Sequence, residues 1–305
     1  MTKSMRRLVV LGVLVGATMT ARADVAGVLR KAGIRGGIAC VVGADRAETA
    51  LGLAKEGSFV VHLLDPDPAK VADAKTRLAG TGLLGRQVYV DVLAGGTLPY
   101  ADHLVDLVVA TGTPVTEAEI LRVLAPVRGR ALLGEKVVVK PALPGADDWT
   151  HRLHAADNNP VSADTALRVP LRLQYLALPM QTSFQGSVLV ANGRRIELTD
   201  WVTKKPDRNS IAGKLLARSL YNGQILWTRN LPKNIEPDQP IVALDGDRVY
   251  LAADDACRVL VIDAEAGRDL PPLTLGDAAL RVKWLGIEKN RLYALWASRC
   301  RSARH

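Results

Sequence analysis

One glycine and one aspartate stand at the spacing of a nucleotide-binding unit. Gly43 directly follows the apolar run Ile38–Val42, which is rich in β-branched residues and too short for a helix. Asp65 closes a second apolar run, Phe59–Leu64, and lies 22 positions after Gly43. Alanines and leucines at helical spacing fill the interval, and Gly57 is placed to end that helix. A strand–turn–helix–strand unit of this kind places a nucleotide-like ligand at the strand ends, with the carboxylate near its ribose hydroxyls.

The same alternation of strands and helices continues after this unit. The predicted elements are a helix over Pro68–Leu78, strands over Gln87–Asp91 and Leu104–Ala110, a helix over Thr116–Leu124 capped by Thr116, and a fifth strand over Ala131–Val139. Strands that alternate with helices predict an α/β, Rossmann-like, doubly wound parallel sheet.

The second half of the chain has a different composition and an internal repeat. All five tryptophans lie after position 148. Leu215–Leu231 aligns with Val259–Leu275 at an offset of 44, and Asp245–Ala252 aligns with Glu288–Leu295 at an offset of 43. A period in the low forties, with about four short strands a unit, indicates β-propeller blades. We therefore predict an all-β partial β-propeller of about three blades, with Trp227 facing between sheets.

The first 23 residues have the pattern of an export signal. A charged start precedes the apolar run Leu8–Thr20, which is too short to span a membrane, and Ala21–Ala23 is a small-x-small cleavage site. We predict cleavage after Ala23 and export to the periplasm or cell envelope, with an uncleaved anchor as the alternative. No later stretch reaches transmembrane length, so we expect no transmembrane span in the mature chain.

The basic charge of the chain does not indicate nucleic-acid binding. Lys and Arg outnumber Asp and Glu by 40 to 31, but the excess is spread along the chain and continues into its last residues. No basic helix or aromatic RNA-binding motif accompanies it, so we predict no nucleic-acid partner.

We also predict no metal site. Cys40, Cys257 and Cys300 match no zinc spacing, and Cys40 is interpreted as a core residue. His151 and His154 with Asp157 could bind a metal, but the pattern favours solvent-facing polar residues.

Two further stretches of the first half carry a family resemblance. Leu98–Ala110 and Glu119–Leu133 are similar to motifs of class I S-adenosylmethionine-dependent methyltransferases, in the small-molecule branch related to ubiquinone biosynthesis. The resemblance covers about residues 36–135. It implies S-adenosylmethionine as the cofactor, with Gly43 beneath its methionine moiety, Asp65 on the ribose hydroxyls and Asp91 beside the adenine.

The chain departs from this family at the turn after the first strand. The family pattern is acid-x-Gly-x-Gly-x-Gly, and the matching positions here are Val41, Gly43, Asp45 and Ala47. Glycines there let the backbone approach the ligand closely, and Asp45 would repel the carboxylate of methionine. A glycine pair after the last helix is replaced by Val127–Arg128. These departures predict a degenerate cofactor site.

The second half resembles the pyrroloquinoline-quinone-type propeller repeat. Leu215–Ala217, Gly223 and Trp227 fit the hairpin of that repeat, and Asp147–Thr165 is similar to the segment that leads into such propellers in fused bacterial envelope proteins. Enzymes of that family hold the quinone with adjacent cysteines and a calcium site. The chain has no adjacent cysteines, so no pyrroloquinoline quinone is expected.

These patterns predict four segments and leave two functions open. The segments are a signal peptide over 1–23, a methyltransferase-like domain over 24–141, a linker that leads into the propeller over 142–165, and the partial propeller over 166–305. The first function is an S-adenosylmethionine-dependent methyltransferase-like protein for an unknown small molecule. The alternative is a non-catalytic binding or scaffold protein of the cell envelope that acts on an envelope protein through its propeller.

Overall fold

The structure, a computed structural model, describes residues 25–112, 114–177, 187–199, 213–232, 235, 241–253, 257–277 and 280–298. The predicted signal segment, Trp201, Cys300 and the basic end of the chain lie outside the described residues. The chain divides into two compact units, Met1–Lys140 and Pro141–His305. None of the described helices is long and apolar enough to cross a membrane.

The first unit is built on a doubly wound sheet, as predicted. Its strands are β1 (Gly36–Val42), β2 (Ser58–Asp65), β3 (Val88–Val92), β4 (Leu107–Ala110), β5 (Arg130–Leu133) and β6 (Lys136–Val139). Its helices are α1 (residues 25–32), α2 (Ala47–Glu56), α3 (Pro68–Leu78) and α4 (Glu117–Val123), with 3₁₀ turns at Ala44–Arg46 and Ala79–Thr81. The strand order is β3-β2-β1-β4-β5-β6, and the first five strands are parallel.

Both faces of this sheet are covered, which explains the continuous apolar runs of β1 and β2. Val61 and Leu63 of β2 belong to a core cluster shared with α2 and α3. Leu64 points to the opposite face, into a second cluster shared with α4. The side chains of β2 thus alternate between two cores.

The predicted fifth strand is two strands. Ala131–Val139 does not run on as one element, because Gly134 and Glu135 form a turn after β5. β6 then returns antiparallel, with Leu133 paired to Lys136. The apolar pattern is similar on both sides of this turn, so the pattern alone did not reveal the reversal.

A buried ion pair connects the strands of the first sheet at their amino ends. The carboxylate of Asp106, just before β4, accepts from Arg128 and from Ile38 N at 2.9 Å. Arg128 also donates to Gly36 O at 2.8 Å, and both charged side chains are 1% exposed or less. Arg128 therefore has a structural role here.

The second unit contains antiparallel sheets. Its strands are β7 (Val188–Ala191), β8 (Arg194–Leu198), β9 (Lys214–Ser219), β10 (Ile225–Asn230), β11 (Val242–Asp245), β12 (Arg248–Ala253), β13 (Arg258–Asp263), β14 (Asp269–Thr274), β15 (Leu280–Glu288) and β16 (Arg291–Ser298). They form a four-stranded sheet β7–β10, a four-stranded sheet β11–β14 and the hairpin β15–β16. One apolar cluster is shared by all three. The described residues thus form blade-like sheets but no closed ring.

Each four-stranded sheet is contacted by an aromatic residue from an earlier part of the chain. The Trp227 indole, partly buried, donates to Ala264 O at 2.9 Å in the β13–β14 turn. It lies against Gly267, where an added Cβ would come 2.5 Å from the indole. Trp227 therefore faces the neighbouring sheet, which confirms the prediction. Tyr175 makes a similar contact with the first sheet, because its hydroxyl donates to Leu220 O at 2.9 Å, and Leu220 lies 44 positions before Ala264.

Candidate functional site

The carboxyl ends of β1 and β2 are tied together at the predicted nucleotide turn. Gly43 has φ 110° and ψ 115°, a conformation that favours glycine, and its N–H donates to Leu64 O at 2.8 Å. The next N–H, from Ala44, donates to Asp65 Oδ2 at 2.7 Å. The glycine and the carboxylate singled out in the sequence thus meet across adjacent strands, next to β4, where the strand order reverses.

The carboxylate of Asp65 is already used within the protein. Its second oxygen accepts from Asp67 N at 2.8 Å, and the residue is 5% exposed. Arg77 also donates to Ala44 O at 2.9 Å, which fixes the same turn from α3. In this arrangement Asp65 shapes the turn, and ribose hydroxyls would have to share its oxygens with two backbone amides.

Asp91 is in the neighbouring strand but on the other face of the sheet. Asp91 follows Val90 in β3, and Val90 packs in the core shared with α2 and α3, so Asp91 is on the opposite face. Asp65 follows Leu64 in β2, and Leu64 packs in the core shared with α4, so Asp65 is on the α2–α3 face. The side chain of Asp91 is 62% exposed. Asp65 and Asp91 thus both lie near the carboxyl ends of their strands, but their side chains are on opposite faces of the sheet.

Asp91 ends a chain of hydrogen-bonding side chains that the sequence did not suggest. Its Oδ2 lies 3.1 Å from His62 Nε2, and His62 Nδ1 lies 2.9 Å from the Tyr100 hydroxyl. Burial lowers the pKa of His62, an effect that Asp91 partly offsets, and burial raises the pKa of Cys40 to about 12. Cys40 is thus a protonated core residue, as interpreted from the sequence.

The two methyltransferase-like stretches contact each other through Arg122. Its guanidinium binds the Glu119 carboxylate at 2.8 Å and the Asp102 carboxylate at 2.7 Å, and it donates to the carbonyls of Leu98 and Tyr100. Glu119 in turn accepts from Leu98 N at 2.7 Å. Hydrogen bonds from Arg122 lower the pKa values of both carboxyl groups. These motif residues fasten the loop before β4 onto α4.

The turn after β1 is a poor fit for the methionine part of the expected cofactor. Asp45 Oδ1 lies 2.7 Å from the point that a Cβ on Gly43 would occupy, so a carboxylate folds back over the glycine. Ala47 is fully buried at the start of α2. A methionine carboxylate approaching Gly43 would meet this negative charge. The residues present therefore do not fit the whole of S-adenosylmethionine, and no methyl-transfer step follows from them.

A small cavity of about 210 Å³ lies at the carboxyl ends of β4 and β5. Ala110, Thr111, Gly112 and Val115 form part of its wall. Pockets that enclose a ligand of drug size usually measure about 300–1,000 Å³. This cavity alone is too small for the complete cofactor.

The histidine pair of the second unit does not face solvent, which corrects the sequence interpretation. His151 is 4% exposed, and its Nε2 accepts from Ile287 N at 2.9 Å. His154 Nε2 lies 2.7 Å from Asp147 Oδ2. Each imidazole thus has a structural partner, which lies 136 positions away for His151 and 7 positions away for His154. Among the described residues, no group of three or more His, Cys, Asp and Glu is placed to hold a metal ion.

Comparisons with known proteins give partial similarities. No family profile and no curated protein matches the chain. Similar solved structures include an S-adenosylmethionine-dependent methyltransferase from Aquifex aeolicus, with 21% identity and a TM-score of 0.29. Geranyl diphosphate C-methyltransferase from Streptomyces coelicolor has 16% identity and a TM-score of 0.32, and the [4+2]-cyclase SpnF has 25% and 0.31.

The matched part is short in every case. The match with the Aquifex aeolicus enzyme covers 35% of this chain and 60% of that chain. The match with geranyl diphosphate C-methyltransferase covers 36% and 44%, and the match with SpnF covers 34% and 41%. The chain thus spans about half the length of the solved structures that it matches.

Proposed function

We propose that the protein is an S-adenosylmethionine-dependent methyltransferase-like protein for a small molecule, with an altered cofactor site in its first unit. The observation that carries the proposal is the turn after β1. Gly43 and Asp65 meet at the carboxyl ends of adjacent parallel strands, beside the point where the strand order reverses. In open α/β sheets, this is where nucleotide-like ligands bind.

The alteration is carried by Asp45. Its carboxylate lies over Gly43, so it opposes the methionine carboxylate through charge and occupies space at the turn. We therefore expect the wild-type chain to bind S-adenosylmethionine weakly or not at all. Replacement of Asp45 tests the site more cleanly than replacement of Asp65, because Asp65→Ala would also leave two backbone amides without their acceptor.

The first prediction concerns binding by Asp45→Asn. This change keeps the size of the side chain and removes its charge, so we expect affinity for S-adenosylmethionine to rise by about tenfold, equivalent to about 1.4 kcal/mol. Asp45→Gly with Ala47→Gly should strengthen binding further, since both glycines give the backbone room. Isothermal titration calorimetry of the full chain measures each affinity.

Glu48→Gln is the matched control, because it removes an exposed acidic charge from the first turn of α2, directly after the 3₁₀ turn that holds Asp45. It should leave the affinity unchanged. Micromolar binding by the wild type would overturn the altered-site proposal and support an active enzyme. No binding by any variant would overturn the cofactor itself and leave the first unit as a scaffold.

A further inference from the structure

Three hairpins of the second unit carry an arginine at the same position. Arg194, Arg248 and Arg291 each begin the second strand of a hairpin with a two-residue turn. The turns are Asn192–Gly193, Gly246–Asp247 and Lys289–Asn290. The structure thus adds a third copy to the repeat that the sequence showed for the other two hairpins.

Backbone hydrogen bonds show that the first two copies are equivalent. Leu220 N donates to Gly193 O at 2.9 Å, and Ala264 N donates to Asp247 O at 2.9 Å. Leu220 and Ala264 are 44 positions apart, like the sequence repeat. Gly193 therefore corresponds to Asp247, and Tyr221 corresponds to Glu265.

Arg194 shows what an arginine at this position binds. Its Nη1 lies 2.8 Å from the Asp247 carboxylate, and its Nε lies 3.0 Å from the Glu265 carboxylate. The side chain of Arg194 is 9% exposed. Both carboxylates belong to turns of the following sheet, so one mostly buried guanidinium holds two acidic groups, the largely buried Glu265 and the exposed Asp247.

Arg248 has the same position one sheet later but no such partners. Its side chain is exposed, and within the described part of the chain no carboxylate lies at ion-pair distance from it. The next turn offers Asn290, a neutral amide, where Arg194 meets Asp247. At this position the repeat therefore presents a neutral amide in place of the Asp247 carboxylate, and Arg248 lies beside open space.

That space is a groove of about 620 Å³. Arg248, Tyr250 and Asn290 supply hydrogen-bond donors to it, and its apolar wall is formed by Leu273, Ile287 and Leu292. Its size lies within the usual range of ligand sites, and a few polar groups on an apolar wall are typical of them.

We propose that this groove binds a ligand with two carboxylates, held by Arg248 as Arg194 holds Asp247 and Glu265. A guanidinium presents its N–H groups in a planar fork that matches carboxylate oxygens. Asp247 also lines the groove, and Arg194 offsets only part of its charge because the same guanidinium also holds Glu265. Asp245 lines the groove as well and opposes the ligand, so its removal should strengthen binding.

A second copy of this chain fits the groove less well than a separate dicarboxylate. The first sheet of another copy would present Gly193 and Tyr221 at the positions of Asp247 and Glu265. Neither residue carries a carboxylate. The ligand chemistry is therefore that of a free dicarboxylate or of two acidic side chains in a short peptide.

The test is calorimetric titration of the full chain at low salt with glutarate, and in parallel with a blocked Glu-Gly-Glu peptide. We expect saturable binding of at least one probe and none of glutaramide, the neutral analogue of glutarate. Arg248→Met should weaken binding by at least about tenfold, and Asp245→Asn should strengthen it, while 0.5 M salt should weaken it. Binding of glutarate identifies a small-molecule site, and binding of the peptide alone identifies an acidic segment as the ligand.

Arg291→Met is the matched control, because Arg291 has the same hairpin position on another strand and does not line the groove. It should leave the affinity unchanged. Equal affinity in the wild type and Arg248→Met, or no binding of either probe, would overturn the proposal. Melting curves of each variant check that the second unit stays folded.

Discussion

Val127 holds a backbone conformation that is costly for its side chain. Its φ is 64°, in the left-handed region, where a β-branched side chain is strained. The methyltransferase motif that this stretch resembles has glycine here, and glycine adopts that conformation without strain. Val127 is followed by Arg128, whose buried ion pair with Asp106 fixes the backbone at this point.

The prediction at this scale is that Val127→Gly stabilises the first unit. Relief of the left-handed conformation is worth about 1–2 kcal/mol, and part of this is lost to the greater freedom of glycine in the unfolded chain, so we expect a net gain of about 1 kcal/mol. Urea unfolding followed by circular dichroism at 222 nm measures the change, because the described helices lie in this unit.

Val137→Gly is the control for this substitution. Val137 lies in β6, is 41% exposed and is not among the residues with positive φ. Glycine within a strand weakens it, so the same side-chain change should destabilise the unit there. A loss of stability in both variants would contradict the explanation by backbone strain.

Among the elements, the α/β unit was the most predictable part of the fold. β1, α2 and β2 could be predicted because their periodicity is local: a β-branched run, alanines at helical spacing and a second apolar run. The turn between β5 and β6 was missed, since an apolar strand before a turn and one after it look like a single strand.

The contacts of the candidate site were much less predictable. The roles of Arg122, His62 and His151 depend on partners between 3 and 136 positions away, which no local pattern specifies. The opposite orientation of Asp65 and Asp91 depends on where each strand ends relative to its neighbour, and a shift of one residue reverses it.

The prediction at the scale of elements concerns the contact between the two four-stranded sheets. Gly267→Ala would place a Cβ 2.5 Å from the Trp227 indole and would adopt a φ of 68°. The indole would have to move from Ala264 O, its hydrogen-bond acceptor. We expect a loss of about 3 kcal/mol, of which about 1–2 come from backbone strain and the rest from overpacking.

Gly246→Ala separates these two causes. Gly246 has a φ of 55° and nothing within 4 Å of its added Cβ, so this variant carries the strain alone. Urea unfolding followed by tryptophan fluorescence measures both variants, because every tryptophan lies in the second unit. Equal losses would show that the contact of Trp227 with Gly267 contributes nothing to stability.

For the whole molecule, acid should weaken both units, because each contains a histidine whose pKa the fold lowers. Burial lowers the pKa of His62 and of His103 in the first unit and of His151 in the second. A histidine with a lowered pKa binds fewer protons in the folded chain than in the unfolded chain. Stability is therefore complete above the unfolded pKa of about 6.5 and falls as the pH is lowered below it.

His151 gives the sharpest test of this dependence in the second unit. Its Nε2 accepts the Ile287 N–H, and an imidazolium has no acceptor, so protonation leaves that buried amide unsatisfied at a cost of about 1–3 kcal/mol. Asp157 and Asp245 favour the protonated form and His154 opposes it, but burial is the larger effect. His151→Gln offers a neutral acceptor at every pH.

We therefore expect His151→Gln to flatten the loss of stability of the second unit between about pH 7 and pH 5. Urea unfolding by tryptophan fluorescence, repeated across this range, measures the slope for that unit. His154→Gln is the control, because it leaves the contact of His151 with Ile287 in place and should keep the slope of the wild type. A wild-type slope that survives in His151→Gln would mean that other groups, among them the carboxylates near His151, set the acid sensitivity of this unit.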